Sequence, residues 1–197
     1  MVSVDLEETQ RLFIPCGEDL LTKTGLGNYV KLVREKTGYN WFLHNEIKQH
    51  SENYQCMPIY DLCIIDGPKN WTIDGMAFFL VDKLLKPGGW IIFDDYAWTY
   101  YDNEKKGFEV TDGITHRLLS EEERTIPQIK EVFQLLVMQH PSYSNFRIHG
   151  EGDWAWAQKV TNPAKINVSV EYNMRFKDLF SRIFKVTNRL FKFRKTN

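Results

Sequence analysis

The chain has 197 residues, the length of one domain. Hydrophobic residues make up 43% and charged residues 26%, and six Trp, nine Tyr and thirteen Phe supply bulk for a core, which excludes a disordered chain. The net charge of -1 hides a split: from Lys165 onward nine Lys/Arg face two Asp/Glu, whereas the preceding residues are acidic overall. An acidic body argues against a nucleic-acid-binding face, and the basic tail remains a candidate contact for an anionic surface. No apolar stretch nears the ~18 residues that span a bilayer. No basic region precedes an apolar core at the N-terminus, so a signal peptide is not expected. Cys16, Cys56 and Cys63 have neither metal nor framework spacing and read as reduced thiols of a cytoplasmic protein.

In chain order, Val2 to Leu6 reads as a short buried strand carrying Asp5 at its end. Gly27 to Lys36 is predicted as a helix, with Tyr29, Val30, Leu32 and Val33 on its apolar face. Trp41 to Ile47 is predicted as a strand, placing Asn45 and Glu46 near its end. Tyr60 to Asp66 (YDLCIID) is an apolar run closed by Asp-Gly-Pro, the pattern of a strand buried on both faces. Ile73 to Leu85 is predicted as a helix stopped by Lys86-Pro87-Gly88-Gly89. Trp90 to Phe93 is a second buried strand, running into Asp94-Asp95. Tyr96 to Leu119 reads as a long aromatic-rich loop. Ser120 and Glu123 fit a capping box, and the main helix of this region is placed from Ile126 to Gln139. Phe146 to Gly150 and Trp154 to Val160 flank Glu151-Gly152-Asp153 as a hairpin.

Alternating strands and helices predict an α/β fold with a doubly wound, mainly parallel sheet and a C-terminal antiparallel hairpin. In such sheets ligands bind outside the carboxyl ends of the strands. Those ends carry Asp5, the neighbourhood of Asn45 and Glu46, Asp66 with Lys69, and Asp94 with Asp95.

The segment Tyr60 to Tyr96, YDLCIIDGPKNWTIDGMAFFLVDKLLKPGGWIIFDDY, resembles the class I S-adenosylmethionine-dependent methyltransferases, and the likeness extends over roughly Val2 to Val160. It is most similar to the small metal-dependent O-methyltransferases and to their sugar and antibiotic relatives. The resemblance implies a Rossmann-like fold, S-adenosyl-L-methionine as cofactor, a small-molecule hydroxyl as acceptor, and magnesium. By position Asp66, Asp94 and Asp95 match the metal triad, and Lys69 in Asp66-Gly67-Pro68-Lys69 matches the general base. Asp5 matches the carboxylate that accepts from the cofactor ribose, and Asn45, Glu46 and Asp66 fall where the cofactor pocket lies. Magnesium suits these residues because it is a hard cation that prefers oxygen ligands. A lysine beside a doubly charged ion can be shifted down toward neutrality and act as a base.

Plainer readings stand beside each assignment. Asp94-Asp95 and Asp66-Gly67-Pro68 also read as turns, Lys69 as a solvated lysine, and Asp5 as a polar strand end. Trp71, Trp98, Tyr100 and Tyr101 read equally as a substrate wall or as a loop packed on the sheet. His44 and His116 read as structural or surface residues.

The family's glycine-rich loop between strand one and the first helix has no counterpart; Gly25-Leu26-Gly27 follows no strand. The resemblance therefore places Val2–Leu6 at strand two and implies an N-terminally truncated domain over residues 1–163, with weak cofactor binding unless another chain supplies the missing element. The alternative is a non-catalytic interaction module. Residues 164–197 form a basic amphipathic tail, in which Tyr172, Phe176, Leu179, Ile183, Val186, Leu190 and Phe193 make an a/d heptad stripe. Such a helix suits a peripheral membrane surface, a partner protein or the chain's own sheet, with docking on protein preferred, and a homo-oligomer is a further expectation.

Overall fold

The computed structural model describes residues 1–12, 14–107, 118–149, 153–161 and 168–171. Strand β1 (Val2–Leu6) is followed by two short helices, α1 (Thr9–Leu12) and α2 (Gly17–Thr24), and by β2 (Lys31–Glu35). Helix α3 (Tyr39–Gln49) leads into a small hairpin, β3 (Ser51–Glu52) and β4 (Gln55–Cys56). Then come β5 (Tyr60–Ile65), α4 (Trp71–Leu84), β6 (Leu85–Asp94) and the short helices α5 (Tyr100–Glu104) and α6 (Glu121–Thr125). Helix α7 (Gln128–Glu131) continues as a π-helix over Val132–Val137 before β7 (Tyr143–His149), β8 (Trp154–Lys159) and β9 (Val168–Glu171).

The strands form separate sheets. Strands β1 and β2 pair in parallel, with Asp5 opposite Arg34. A five-stranded sheet runs in the order β5-β6-β8-β7-β9. Within it β5 and β6 are parallel, β8 is antiparallel to both of its neighbours, and β9 is parallel to β7. Among the described residues no strand joins the two sheets, and β5 has no partner on its outer edge.

One face of the larger sheet holds the core. Helix α4 starts where the Asn70 side chain accepts from the Thr72 and Ile73 amides, and it buries Ala77, Phe78, Val81 and Leu84 at helical spacing. The π-helix closes with the Met138 amide on the Phe133 carbonyl at 2.8 Å, a five-residue reach. That widening lets Val132, Phe133 and Val137 all face inward. Phe133 meets the rings of Phe93, Tyr96 and Phe146 edge-on.

Several expectations need correction. Lys31–Glu35, inside the predicted helix Gly27–Lys36, is β2, because its alternating side chains and backbone are satisfied by β1. Trp41 to Ile47 is not a strand but lies inside α3, where Tyr39, Leu43 and Ile47, four residues apart, turn one stripe toward the core. Lys86-Pro87-Gly88-Gly89 is a bulge within β6 and not a free turn: pairing jumps from Leu85–Tyr60 to Trp90–Leu62, and Gly88 sits at φ 85°. The loop after Tyr96 contains α5, and its part over 108–117 lies outside the described residues. Strand β9 falls in the stretch assigned to the tail yet pairs with β7, while residues 172–197 lie outside the described residues. Among the described residues no helix is long and apolar enough to cross a membrane.

Candidate active site

Strands β5 and β6 are neighbours and parallel, so the residues that follow them emerge side by side. Ile65 pairs with Phe93, and the next residues are Asp66 and Asp94. Asp66, Asp94 and Asp95 each present a carboxylate oxygen, and these oxygens lie within 4.8 Å of one another. The parallel register thus brings together residues nearly thirty positions apart in the chain.

The ammonium of Lys69 sits among these carboxylates, 2.6 Å from Asp66 Oδ1 and 3.0 Å from Asp95 Oδ2. Burial pulls the Lys69 pKa down, but the hydrogen bonds to Asp66 and Asp95 outweigh it and hold it above the ordinary lysine value. The expected downward shift is therefore reversed here, and Lys69 is a protonated ion-pair partner. Lys69 and Asp95 both adopt left-handed backbone conformations, at φ 62° and 55°. Non-glycine residues hold such conformations where the surroundings over-determine them. The surroundings here are specific. The Asp95 amide donates to Asp94 Oδ1 at 2.9 Å, and the Trp98 amide donates to the Asp95 carbonyl at 3.0 Å. Behind Lys69, the Tyr100 hydroxyl donates to the Pro68 carbonyl at 2.7 Å.

Beneath this loop lies a pair that the sequence reading missed. Asp74, in the first turn of α4, is completely buried. It accepts a hydrogen bond from the Tyr39 hydroxyl and another, at 2.7 Å, from the Asn70 amide. Burial pushes its pKa up to about 6, against the downward pull of those donors. Gly67 rests directly on this pair; a Cβ there would overlap the Asp74 carboxylate and the Tyr39 hydroxyl. The clue in the sequence was a lone carboxylate on the inward stripe of an otherwise apolar helix, WTIDGMAFF.

A second concavity opens beyond Tyr39. It has a volume of about 700 Å³ and is lined by Glu7, Arg34, Glu35, Lys36, Thr37 and Trp41, residues at the carboxyl ends of β1 and β2 and the start of α3. Tyr39 lies between Thr37 and Trp41 in the chain, and its hydroxyl reaches Asp74.

The remaining expected residues are dispersed. The Asp5 carboxylate accepts from Arg34 at 2.8 Å and from Thr9 Oγ1 at 2.6 Å. Arg34 also binds Glu18, whose carboxyl it holds down at about 2. Asn45 and Glu46 lie on α3 and not at a strand end. Glu46 accepts from the Tyr60 hydroxyl at 2.7 Å, at the amino end of β5 and away from the rim. His44 stacks on Trp41, whereas His116 lies outside the described residues. Trp98 and Tyr100 pack edge-on at 4.8 Å, with Tyr100 buried, and Trp71 and Tyr101 remain partly exposed.

No protein family's sequence profile matches the chain, and no curated protein matches it in sequence. Solved structures do match. A Staphylococcus aureus protein assigned as a caffeoyl-CoA O-methyltransferase superposes with a TM-score of 0.52 at 17% identity, over 80% of this chain and 63% of its own. An O-methyltransferase from Bacillus cereus in complex with SAH matches with a TM-score of 0.50 at 19% identity, over 81% of this chain and 62% of its own. The fold is the one these methyltransferases share. This chain spans less than two thirds of the length of either.

Proposed function

We propose that the chain carries the metal-binding and acceptor-binding part of an S-adenosylmethionine-dependent O-methyltransferase acting on a small-molecule hydroxyl. The observation that supports it most is the convergence of Asp66, Asp94 and Asp95, whose carboxylate oxygens lie within 4.8 Å of one another, with the Lys69 ammonium paired to two of them. Three carboxylates from two adjacent strand ends are a donor set that fits a hard divalent ion such as magnesium. When bound, the cation lowers the pKa of a substrate hydroxyl and the cofactor supplies an electrophilic methyl group.

The chain's own residues have distinct tasks in this reading. Asp66, Asp94 and Asp95 hold the cation. Lys69, protonated in its ion pairs here, would serve as the proton acceptor with a cation on Asp66 and Asp95, since burial alone favours its neutral amine. Asp74 and Tyr39 position the Asp66–Lys69 loop through Gly67. In the neighbouring concavity, Glu7 and Glu35 offer carboxylates to ribose hydroxyls and Trp41 offers a ring face to adenine. Residues 1–197 contain no glycine-rich cofactor loop, so affinity for the cofactor is weak in this chain alone.

Calorimetric titration with magnesium chloride, then with S-adenosylmethionine, tests the reading. Magnesium binding by the wild-type chain, weakened about tenfold or more in Asp94→Asn at unchanged melting temperature, is expected. If the wild-type chain takes up no magnesium, or if Asp94→Asn binds it equally well, the carboxylate cluster is a structural turn and the proposal falls.

A further inference from the structure

Among the described residues, the core packs on one face of the five-stranded sheet. Opposite the core, Leu62 and Ile64 of β5, Trp90 and Ile92 of β6, and Trp154 and Trp156 of β8 point the other way. Ile92 is buried among them at 3% exposure, and Trp90 and Trp156 are half-buried. Leu62 is 52% exposed, Ile64 59% and Trp154 44%. The aromatic members form one continuous surface, with Trp90 and Trp154 each about 6 Å from Trp156, ring centre to ring centre. Arg147 lies over the Trp90 ring at 5.3 Å. A contiguous apolar surface of this kind is an interaction site and not ordinary solvent-facing sheet.

We infer that residues 172–193 of the same chain cover this face as an amphipathic helix. Four observations select that occupant. The first is where the chain leaves the sheet. Glu171 ends β9 beside His149, whose ring lies 6.4 Å from that of Trp154, and Trp154 pairs with Asp94. The described chain therefore ends beside the rim of this face. The second is length. As a helix, residues 172–193 would span about 33 Å. Crossing from β9 to β5 takes four strand spacings, about 19 Å. The third is chemistry: the stripe of Tyr172, Phe176, Leu179, Ile183, Val186 and Leu190 is an apolar match for Leu62, Ile64 and Trp154, which the described residues leave exposed. The fourth is charge, since a basic tail follows an acidic body. The other face is closed to it by α4 and the π-helix. The inference stands on the fold and is independent of the methyltransferase chemistry.

Hydroxyl-radical labelling of the full-length chain, read by mass spectrometry, tests it. The comparison is with full-length Leu179→Asp/Ile183→Asp, which puts two charges into the stripe. Leu62, Ile64 and Trp154 are expected to label about fivefold more in the variant, from loss of two buried apolar side chains, while Phe78 is unchanged. Equal labelling overturns the inference. The reciprocal variant Ile64→Asp changes a residue that the described fold leaves exposed. It is expected to speed trypsin cleavage after Arg182 and Arg189 about tenfold at unchanged far-UV circular dichroism, and unchanged cleavage again overturns the inference. Two other occupants have their own signatures. Protection that vanishes on tenfold dilution assigns the tail of a second copy. Protection of the tail only in the presence of phosphatidylserine-containing vesicles, with the sheet face labelled throughout, assigns a membrane. Either outcome refutes docking within one chain.

Discussion

Tyr39→Phe removes a single hydroxyl and keeps the ring that packs on the core. That hydroxyl is one of two donors to the Asp74 carboxylate, the other being the Asn70 amide at 2.7 Å. Asp74 has no exposed surface, so no water replaces the lost donor without rearrangement. Its pKa is about 6 in the folded chain against an ordinary 3.8. A folded-state pKa raised in this way stabilises the protein fully at low pH, and the stabilisation is lost as pH rises from about 4 through about 6. Tyr39 acts against that rise, because its bond favours the ionised form. Deleting it moves the Asp74 pKa higher still and increases the penalty where the carboxylate must be charged. A hydrogen bond to a charged group is worth about 1.5–3 kcal/mol and one between neutral groups about 0.5–1.5 kcal/mol. Urea unfolding should therefore show a loss of about 2–3 kcal/mol at pH 8 and about 1 kcal/mol at pH 4.5. A loss that is equal at the two pH values, or larger at the lower one, refutes the account of Asp74 as a buried carboxylate held ionised by Tyr39.

Three further changes probe the site and the core. Gly67→Ala forces a methyl group into the Asp74–Tyr39 pair, so a loss of about 1–3 kcal/mol in thermal melts and weaker magnesium uptake in calorimetry are expected together. Lys69→Met removes the ammonium that competes for Asp66 and Asp95. Magnesium affinity should rise several-fold, from release of an ion pair worth about 1 kcal/mol or less, while methyl transfer falls. A lower affinity would mean that Lys69 supports the carboxylates and does not compete for them. Phe133→Ala opens a cavity beneath three aromatic neighbours and should cost about 3–5 kcal/mol in denaturant titration.

The legible parts of the chain were those whose local pattern admits few alternatives. YDLCII and WIIF are apolar runs that read as strands buried on both faces; the structure pairs them side by side, while among the described residues Leu62 and Ile64 of β5 stay exposed on one face. The polar motif Glu151-Gly152-Asp153, whose first two residues lie outside the described ones, announced the antiparallel pairing of β7 and β8 in the same way. Asp66, Asp94 and Asp95 were found because each closes such a run. Shorter elements were misread because their patterns fit two periods. YVKLVREK supports a helical stripe or a strand alternation, and only the partner strand Val2–Leu6 decides. In the other direction, the apolar run Trp41-Phe42-Leu43 suggested a strand until α4 and the core took up Leu43 and Ile47 from one side.

The order of apolar runs, turn residues and acidic strand ends is local information. It was enough to determine the α/β architecture, the hairpin and the candidate carboxylates. The meeting of those carboxylates beside Lys69, the burial of Asp74 under Gly67, and the exposure of Leu62, Ile64 and Trp154 on one face of the sheet were decided only by tertiary structure. Each depends on the distance between segments far apart in the chain. Pairing register, burial and packing set such distances, and no residue's nearest neighbours in sequence encode them.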